Sequence, residues 1–299
     1  MTIKKLTALI KAGYGQGHFQ RYKPWLRVTK RDYSPNSNIG HLPAASLARA
    51  HHYRARAERT TIQLAKWLGA VDAREAFPAW PWPHRHPGDG LEGFGNAPIQ
   101  PGLLAIAKDA DINHGTYVGT DLPYVATIDI MTTWRLRQSG FRLLALENKP
   151  EEIAHDPDPL LRAKERLELT RRYCKQADIT RVLVHAEKLP KELAVNLDLI
   201  EPTTTSPAQA AIRASQTYQA LIELLSIKGY AEAPTDLMYS MASRLCIPVE
   251  TLWPMFDLAL WHQDIDHDLT MPFKSWTPLI PGGRAYKQVI LNSWLGGGQ

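Results

Sequence analysis

Apolar positions along the chain change their spacing several times, and each change predicts an element. In "TIKKLTALIKA" (2–12), Leu6, Leu9 and Ile10 recur at helical spacing. A glycine-rich turn follows, and "KPWLRV" (23–28) predicts a short strand. "LPAASLARAHHYRARAERTTIQLAKWLG" (42–69) predicts a long helix closed by Gly69. "AWPWPHRHPGDGLEGFGNAP" (79–98) is too dense in Pro and Gly to be anything but loop. Two strand-like runs come next, "YVATIDIMTTW" (124–134) and "FRLLALENKP" (141–150). They are followed by a charged helix, "DPLLRAKERLELTRRYCKQ" (158–176), and a buried strand, "ITRVLVHA" (179–186). Helix–strand–strand–helix–strand predicts an α/β core with a mixed sheet over residues 1–190. "IEPTTTSPAQ" (200–209) predicts a linker. Beyond it, residues 200–299 predict a helical domain: "AIRASQTYQALIELLSIKG" (211–229), then "TDLMYSMASRLCIPVETLWPMFDLALWHQ" (235–263). The second stretch has helix–turn–helix spacing with Pro248 opening its second helix, and "DHDLTMPFKSWTPLI" (266–280) is a candidate wing.

Composition sharpens this. The chain has 299 residues, 44% of them hydrophobic, enough for about two domains. Net charge is only +5, yet residues 1–66 hold thirteen Lys and Arg against Asp32 and Glu58 alone. Such segregation fits a polyanion footprint, and equally a solvated basic face. Cys174 and Cys246 are the only cysteines and form no C-x-x-C, which implies neither a disulfide framework nor a cysteine zinc site. "LTALI" has lysines on both sides, unlike a signal h-region, and no apolar run approaches the ~20 residues of a membrane span. These features predict a cytoplasmic protein with no membrane partner.

Three stretches carry candidate chemistry. In "GYGQGHFQRYKPW" (13–25), Gly13, Gly15 and Gly17 do not follow a strand and His18 stands where a Walker loop needs Lys, so neither nucleotide fingerprint holds. In "LALENKP", strand alternation puts Glu147 and Lys149 on one face with Asn148 opposite. Asp129 is a lone acid in the apolar "ATIDIM" of the preceding strand. Two such carboxylates can bridge a hard divalent cation, and the lysine can orient a water or steady phosphate charge. A cross-strand salt bridge is the plain alternative. Glu58 is the only acid in the basic stretch around Arg54, Arg56 and Arg59, readable as a third metal carboxylate or as an i, i+4 partner of Arg54. Elsewhere, Asp264, Asp266 and Asp268 mimic the start of an EF-hand, but Leu269 stands where that loop needs Gly and Ser275 where it needs Glu. His84 and His86 lack the cysteine partners of a zinc site. The stripe Leu237, Met241, Leu245, Leu252 and Phe256 reads as core.

The order "GYGQGHFQRYKPWLRV", Glu58 nine residues before Trp67, "VDAREAFP", "AIAKDADINH", "TIDIM", "ALENKP" and "RLELTRRYCKQADI" resembles the TnsA family. TnsA is the endonuclease subunit of heteromeric transposases in Tns-type cut-and-paste transposons, and the resemblance covers about residues 1–190. It implies a restriction-endonuclease-like catalytic domain followed by a winged-helix-like C-terminal domain. It also implies Mg²⁺, replaceable by Mn²⁺, held by Glu58, Asp129 and Glu147, with Lys149 completing the catalytic set. Double-stranded DNA, a TnsB-like DDE transposase and a TnsC-like AAA+ ATPase, contacted through the C-terminal domain, are the implied partners. Lys11, Gly15, Gly17, His18, Arg21, Lys23, Arg54 and Arg56 are the candidate DNA contacts, with the glycine main chain approaching backbone phosphate. A purely structural turn is the alternative there. Two positions depart from the family pattern: Glu147 replaces a Gln, restoring the usual restriction-enzyme carboxylate, and Ala76 replaces the Gln of "REQFP". The second helix of the helix–turn–helix, Val249–Trp261, carries no Arg or Lys, which favours protein contact over base reading. A stand-alone restriction or repair nuclease of the same fold, and a catalytically inactive DNA-binding adaptor, are the competing functions.

Overall fold

The computed structural model describes residues 1–29, 32, 38–44, 47–151 and 162–296. Two compact units form, one of Met1–Leu42 with Ala50–Glu187, the other of Pro43–Arg49 with Lys188–Gln299. Chain order begins with α1 (Ile3–Lys11), a two-stranded sheet of β1 (Gly40–Ala44) and β2 (Arg49–Tyr53), and α2 (Arg56–Leu68). It continues with β3 (Asp72–Ala79), α3 (Leu103–Asp109), β4 (Ala126–Arg135), β5 (Phe141–Asn148), α4 (Arg162–Gln176) and β6 (Thr180–Val184).

The sheet of the first unit has the order β3–β4–β5–β6. β3, β4 and β5 are antiparallel neighbours, whereas β6 joins β5 in parallel. A parallel pair needs a crossover, and α4 supplies it. Glu147 and Asn148 are successive on β5 and point to opposite faces. Glu147 meets Thr170 of α4 at 2.9 Å, and Asn148 meets Thr61 of α2 at 2.5 Å, so the two helices cover opposite faces. α2 buries Ile62, Leu64, Ala65 and Trp67 almost completely. The Ile62 and Leu64 side chains each contribute about 1.5–3 kcal/mol over exposed ones. On the other face, Leu169, Tyr173 and Cys174 of α4 pack with Ile128, Met131 and Leu143. Burial there pushes the Cys174 thiol up to about 12.

Several expectations change. Residues 42–69 are not one helix: β1 and β2 come first, and α2 begins only at Arg56. His51 explains this, because its fully buried Nδ1 bonds Glu75 Oε2 at 3.1 Å while the His52 amide donates to Glu75 Oε1 at 3.0 Å. "KPWLRV" forms no strand. Pro24 lacks an N–H, and the segment only pairs locally with the glycine turn, where the Gly15 amide donates to Lys23 O at 2.6 Å. β3 is not among the elements that the apolar spacing predicts. Its charged residues are buried but partnered: Asp72 accepts from the Phe19 amide, and Arg74 donates to Pro87 O while stacking on Phe77. Ala76, at φ 46, interrupts the pairing in the left-handed region that side chains avoid. The helix expected from residue 158 is seen from Arg162, and its first four residues lie outside the described ones.

The second unit is helical: α5 (Lys191–Ile200), α6 (Ser206–Arg213), α7 (Gln216–Lys228), α8 (Pro234–Leu245), α9 (Trp253–His262) and α10 (Gly283–Leu295). α5 lies ahead of the expected linker and ties to this unit through Asn196, which donates to Leu269 O and Met271 O. The stretch 211–229 is two helices, because Ser215 caps α7 by accepting from the Tyr218 amide. Cys246, at φ 54, ends α8 in a left-handed turn before α9. Leu237, Met241, Leu252 and Phe256 are core as expected, but Leu245 is 41% exposed. The wing is not formed: no residue of 266–280 is in a strand. The carboxylates there are tied to local structure instead. Asp264 takes a bidentate bond from Arg213, Asp266 accepts from the Gly282 and Arg284 amides at the start of α10, and Asp268 accepts from Thr270. Those bonds hold the segment as coil.

Candidate active site

Glu58 sits in the first turn of α2, where its Oε2 accepts the Arg54 backbone N–H at 2.7 Å. Satisfying an otherwise orphaned amide ahead of a helix is a capping role. Arg54 itself precedes the helix, and its guanidinium lies 3.9 Å from Asp32. Burial pushes the Glu58 carboxyl up to about 7, and the neighbouring Asp129 adds to the rise while Arg54 and Lys149 oppose it. A raised carboxylate stabilises the fold below its unfolded value and loses that contribution as pH climbs through the folded value. Glu58→Gln, which keeps the capping oxygen, should therefore raise the metal-free melting temperature at pH 8 and change little at pH 4. An equal shift at both pH values would contradict the assignment.

Asp129 lies near the start of β4. Its Oδ2 accepts the Asn148 N–H at 2.8 Å, and Lys149 Nζ is 3.8 Å away. Burial raises its pKa, with Lys149 and the Asn148 amide opposing. Glu147 is 5% exposed. Thr170 donates to its Oε1 at 2.9 Å and Arg181 of β6 to its Oε2. Burial raises its pKa too, opposed by Arg181 and Thr170 and reinforced by Asp129. Asp129, Glu147 and Lys149 line one cavity of about 250 Å³. Glu147 and Lys149 thus share a side, as strand alternation requires, and Glu58 stands close enough to feel both Asp129 and Lys149.

Among the described residues, no three His, Cys, Asp or Glu side chains form a group able to hold a metal ion as they stand. Each Glu147 oxygen already accepts a hydrogen bond, from Thr170 and from Arg181. The donor chemistry nonetheless suits a hard divalent cation. Buried carboxylates with raised pKa values, two of them raised further by Asp129, are a charge pattern that a cation relieves.

The basic N-terminal residues divide by role. Lys11 closes α1, and Lys23 Nζ donates to Ala12 O at 2.8 Å beside it. Arg21, Lys23, Arg54 and Arg56 are exposed, the last two flanking Glu58. A Cβ on Gly15 would meet Pro78 Cγ at 2.4 Å, and one on Gly17 would meet Arg21 O at 3.0 Å, both at positive φ. With the Gly15 amide already bonded to Lys23, its role is to build the turn rather than to offer a donor to phosphate. His18 Nε2–H donates to Asp89 O at 2.8 Å, and burial lowers the His18 pKa. His84 bonds Trp82 O and the Tyr173 hydroxyl, and His86 bonds Ala177 O and the Gly88 amide, so both histidines pin the Pro-rich loop to α4 and its C-terminal end. Thr170 and Arg181, the partners of Glu147, were not singled out from the sequence, where nothing marks them among the other hydroxyls and cations.

A helix carboxylate, a strand carboxylate and a Glu-x-Lys strand end on a mixed four-stranded sheet are compatible with a restriction-endonuclease-like core. No protein-family model matches the chain. It is similar to the transposon Tn7 transposition protein TnsA of Escherichia coli, 27% identical over 222 residues, which cover 74% of this chain and 70% of that protein. The chain is TnsA-like. Among the described residues, no helix is long and apolar enough to cross a membrane.

Proposed function

We propose that the protein is a divalent-metal-dependent DNA endonuclease that cuts the 5′, non-transferred strand at transposon ends. The carrying observation is the shared cavity of Asp129, Glu147 and Lys149, with Glu58 at its electrostatic edge. Asp129 and Glu147, with Glu58, would hold Mg²⁺ or Mn²⁺, and the bound ion would supply Lewis-acid stabilisation of phosphate charge. Lys149 positions the attacking water and steadies the developing negative charge. Water adds to phosphorus, the bond to the 3′ oxygen breaks, and a 5′-phosphate and a 3′-hydroxyl remain. The similarity to TnsA supports a TnsB-like DDE transposase acting on the other strand and a TnsC-like AAA+ ATPase docking on the second unit. The exposed Lys11, Arg21, Lys23, Arg54 and Arg56 would follow the DNA backbone.

Glu147 gives the test. Its Gln variant keeps an oxygen for the cation and for Thr170 but removes one negative charge. Cleavage of a transposon-end duplex, assayed with the partner transposase, should fall and then recover with added Mg²⁺ or Mn²⁺ by mass action. Glu147→Ala, with no oxygen left, should recover far less. Equal, full activity in both variants would mean that the Glu-x-Lys strand is only an ion pair. Equal loss at every metal concentration would make Glu147 a general base instead of a ligand.

A further inference from the structure

The cavity holding Asp129, Glu147 and Lys149 has another wall that the proposed chemistry leaves unused. α4 brings Arg166 to it, one turn before Thr170, and the segment entering β4 brings His114 and Tyr124. Arg162, Arg171 and Arg172 on the same helix each pair with Glu165 or Glu168. Arg166 differs. Among the described residues its guanidinium has no carboxylate partner and lies over the Tyr124 ring, 5.9 Å from the centroid. His114 shows a second unmet capacity. Its Nδ1–H donates to Gly115 O at 2.9 Å, and Arg162 clamps its loop by donating to Asn113 O and His114 O. Its Nε2 is buried with no hydrogen-bond partner. A buried polar atom without a bond, beside an arginine without an anion, is the mark of a wall that a polar anionic ligand completes. The guanidinium fork matches the non-bridging oxygens of a phosphate, and a ring beneath it limits the rotamers it must give up.

We propose that Arg166, backed by Tyr124 and His114, is a phosphodiester-binding subsite that grips the substrate strand across the cavity from the metal-binding carboxylates. This rests on the endonuclease reading of that cavity. Arg166 takes the phosphate oxygens, and His114 Nε2 accepts from a water that hydrates the same group.

Full-length protein titrated with a short fluorescent DNA duplex, with Ca²⁺ present, tests this by anisotropy over a series of salt concentrations. Arg166→Ala should weaken Kd about tenfold and shrink the log–log salt slope by about one phosphate contact. Arg166→Lys should fall between, since it keeps the charge but loses the fork. An unchanged melting temperature would show that the variants remain folded, as expected for a side chain in no ion pair. Arg166→Ala with wild-type affinity and slope would overturn the subsite. Asp129→Ala separates the two ideas. Should that variant cut as wild type does, the endonuclease reading falls together with the subsite. Should it be dead while Arg166→Ala binds normally, only the subsite falls.

Discussion

Asp129→Ala is expected to lower strand cleavage by about a thousandfold or more while leaving the protein folded. Removing a metal carboxylate takes away several kcal/mol of transition-state stabilisation. Its effect on stability is a balance of small opposing effects. The Asn148 amide loses its acceptor, which costs about 1 kcal/mol. Against that, a buried carboxylate with a raised pKa no longer faces Glu58 and Glu147, which helps most above neutral pH. Cleavage kinetics and thermal melting on one preparation check both halves. A folded Asp129→Ala variant that nicks at the wild-type rate refutes the site.

Arg181→Ala should have the largest effect on stability. The Arg181–Glu147 pair is buried, with side-chain exposures of 13% and 6%, and burial already raises the Glu147 pKa despite the arginine. Deleting the cation strands a carboxylate in a low-dielectric site, a change worth about 3–5 kcal/mol. The penalty should shrink as pH falls, because Glu147 escapes it by taking up a proton. Combining Arg181→Met with Glu147→Gln removes both charges and should recover much of the loss, giving a coupling of more than about 1 kcal/mol in a double-mutant cycle. Urea unfolding at pH 5 and pH 8 provides the readout. A single variant no less stable than wild type at pH 8 would show that the pair is solvated in solution. On the proposed reading, the same pair also bears on metal binding, since a metal ion would have to compete with Arg181 for Glu147.

The central strands were legible because β4 and β5 are near-continuous apolar runs buried on both faces, on which the few charged positions of the candidate site stand out. A lone Asp129 in an apolar run and a Glu-x-Lys at a strand end need only the period of two to be placed. Glu58 stood out because it is the sole acid in a basic stretch, although its capping of Arg54 was not readable. β3 was hidden by Asp72, Arg74 and Glu75, which look like surface and are buried because each finds a partner far along the chain. For the same reason β2 passed for helix: the tie from His51 to Glu75 spans two elements, and local propensity cannot report it. Arg166 and Arg181 stayed anonymous among 35 Lys and Arg, since what distinguishes them is the neighbour they lack or hold. The wing failed on side-chain detail, because the acids that suggested a metal loop are the groups that fix residues 264–282 as coil.

The two cysteines set two clocks on this molecule. Cys246 is exposed and should react at once with a thiol reagent. Cys174 is buried on the sheet-facing side of α4, with its thiol held protonated, and should react only when that helix lifts. Its labelling rate therefore reports how often α4 opens, and α4 carries both Thr170 and Arg166. A substrate strand seated in the cavity would slow the second clock and leave the first unchanged.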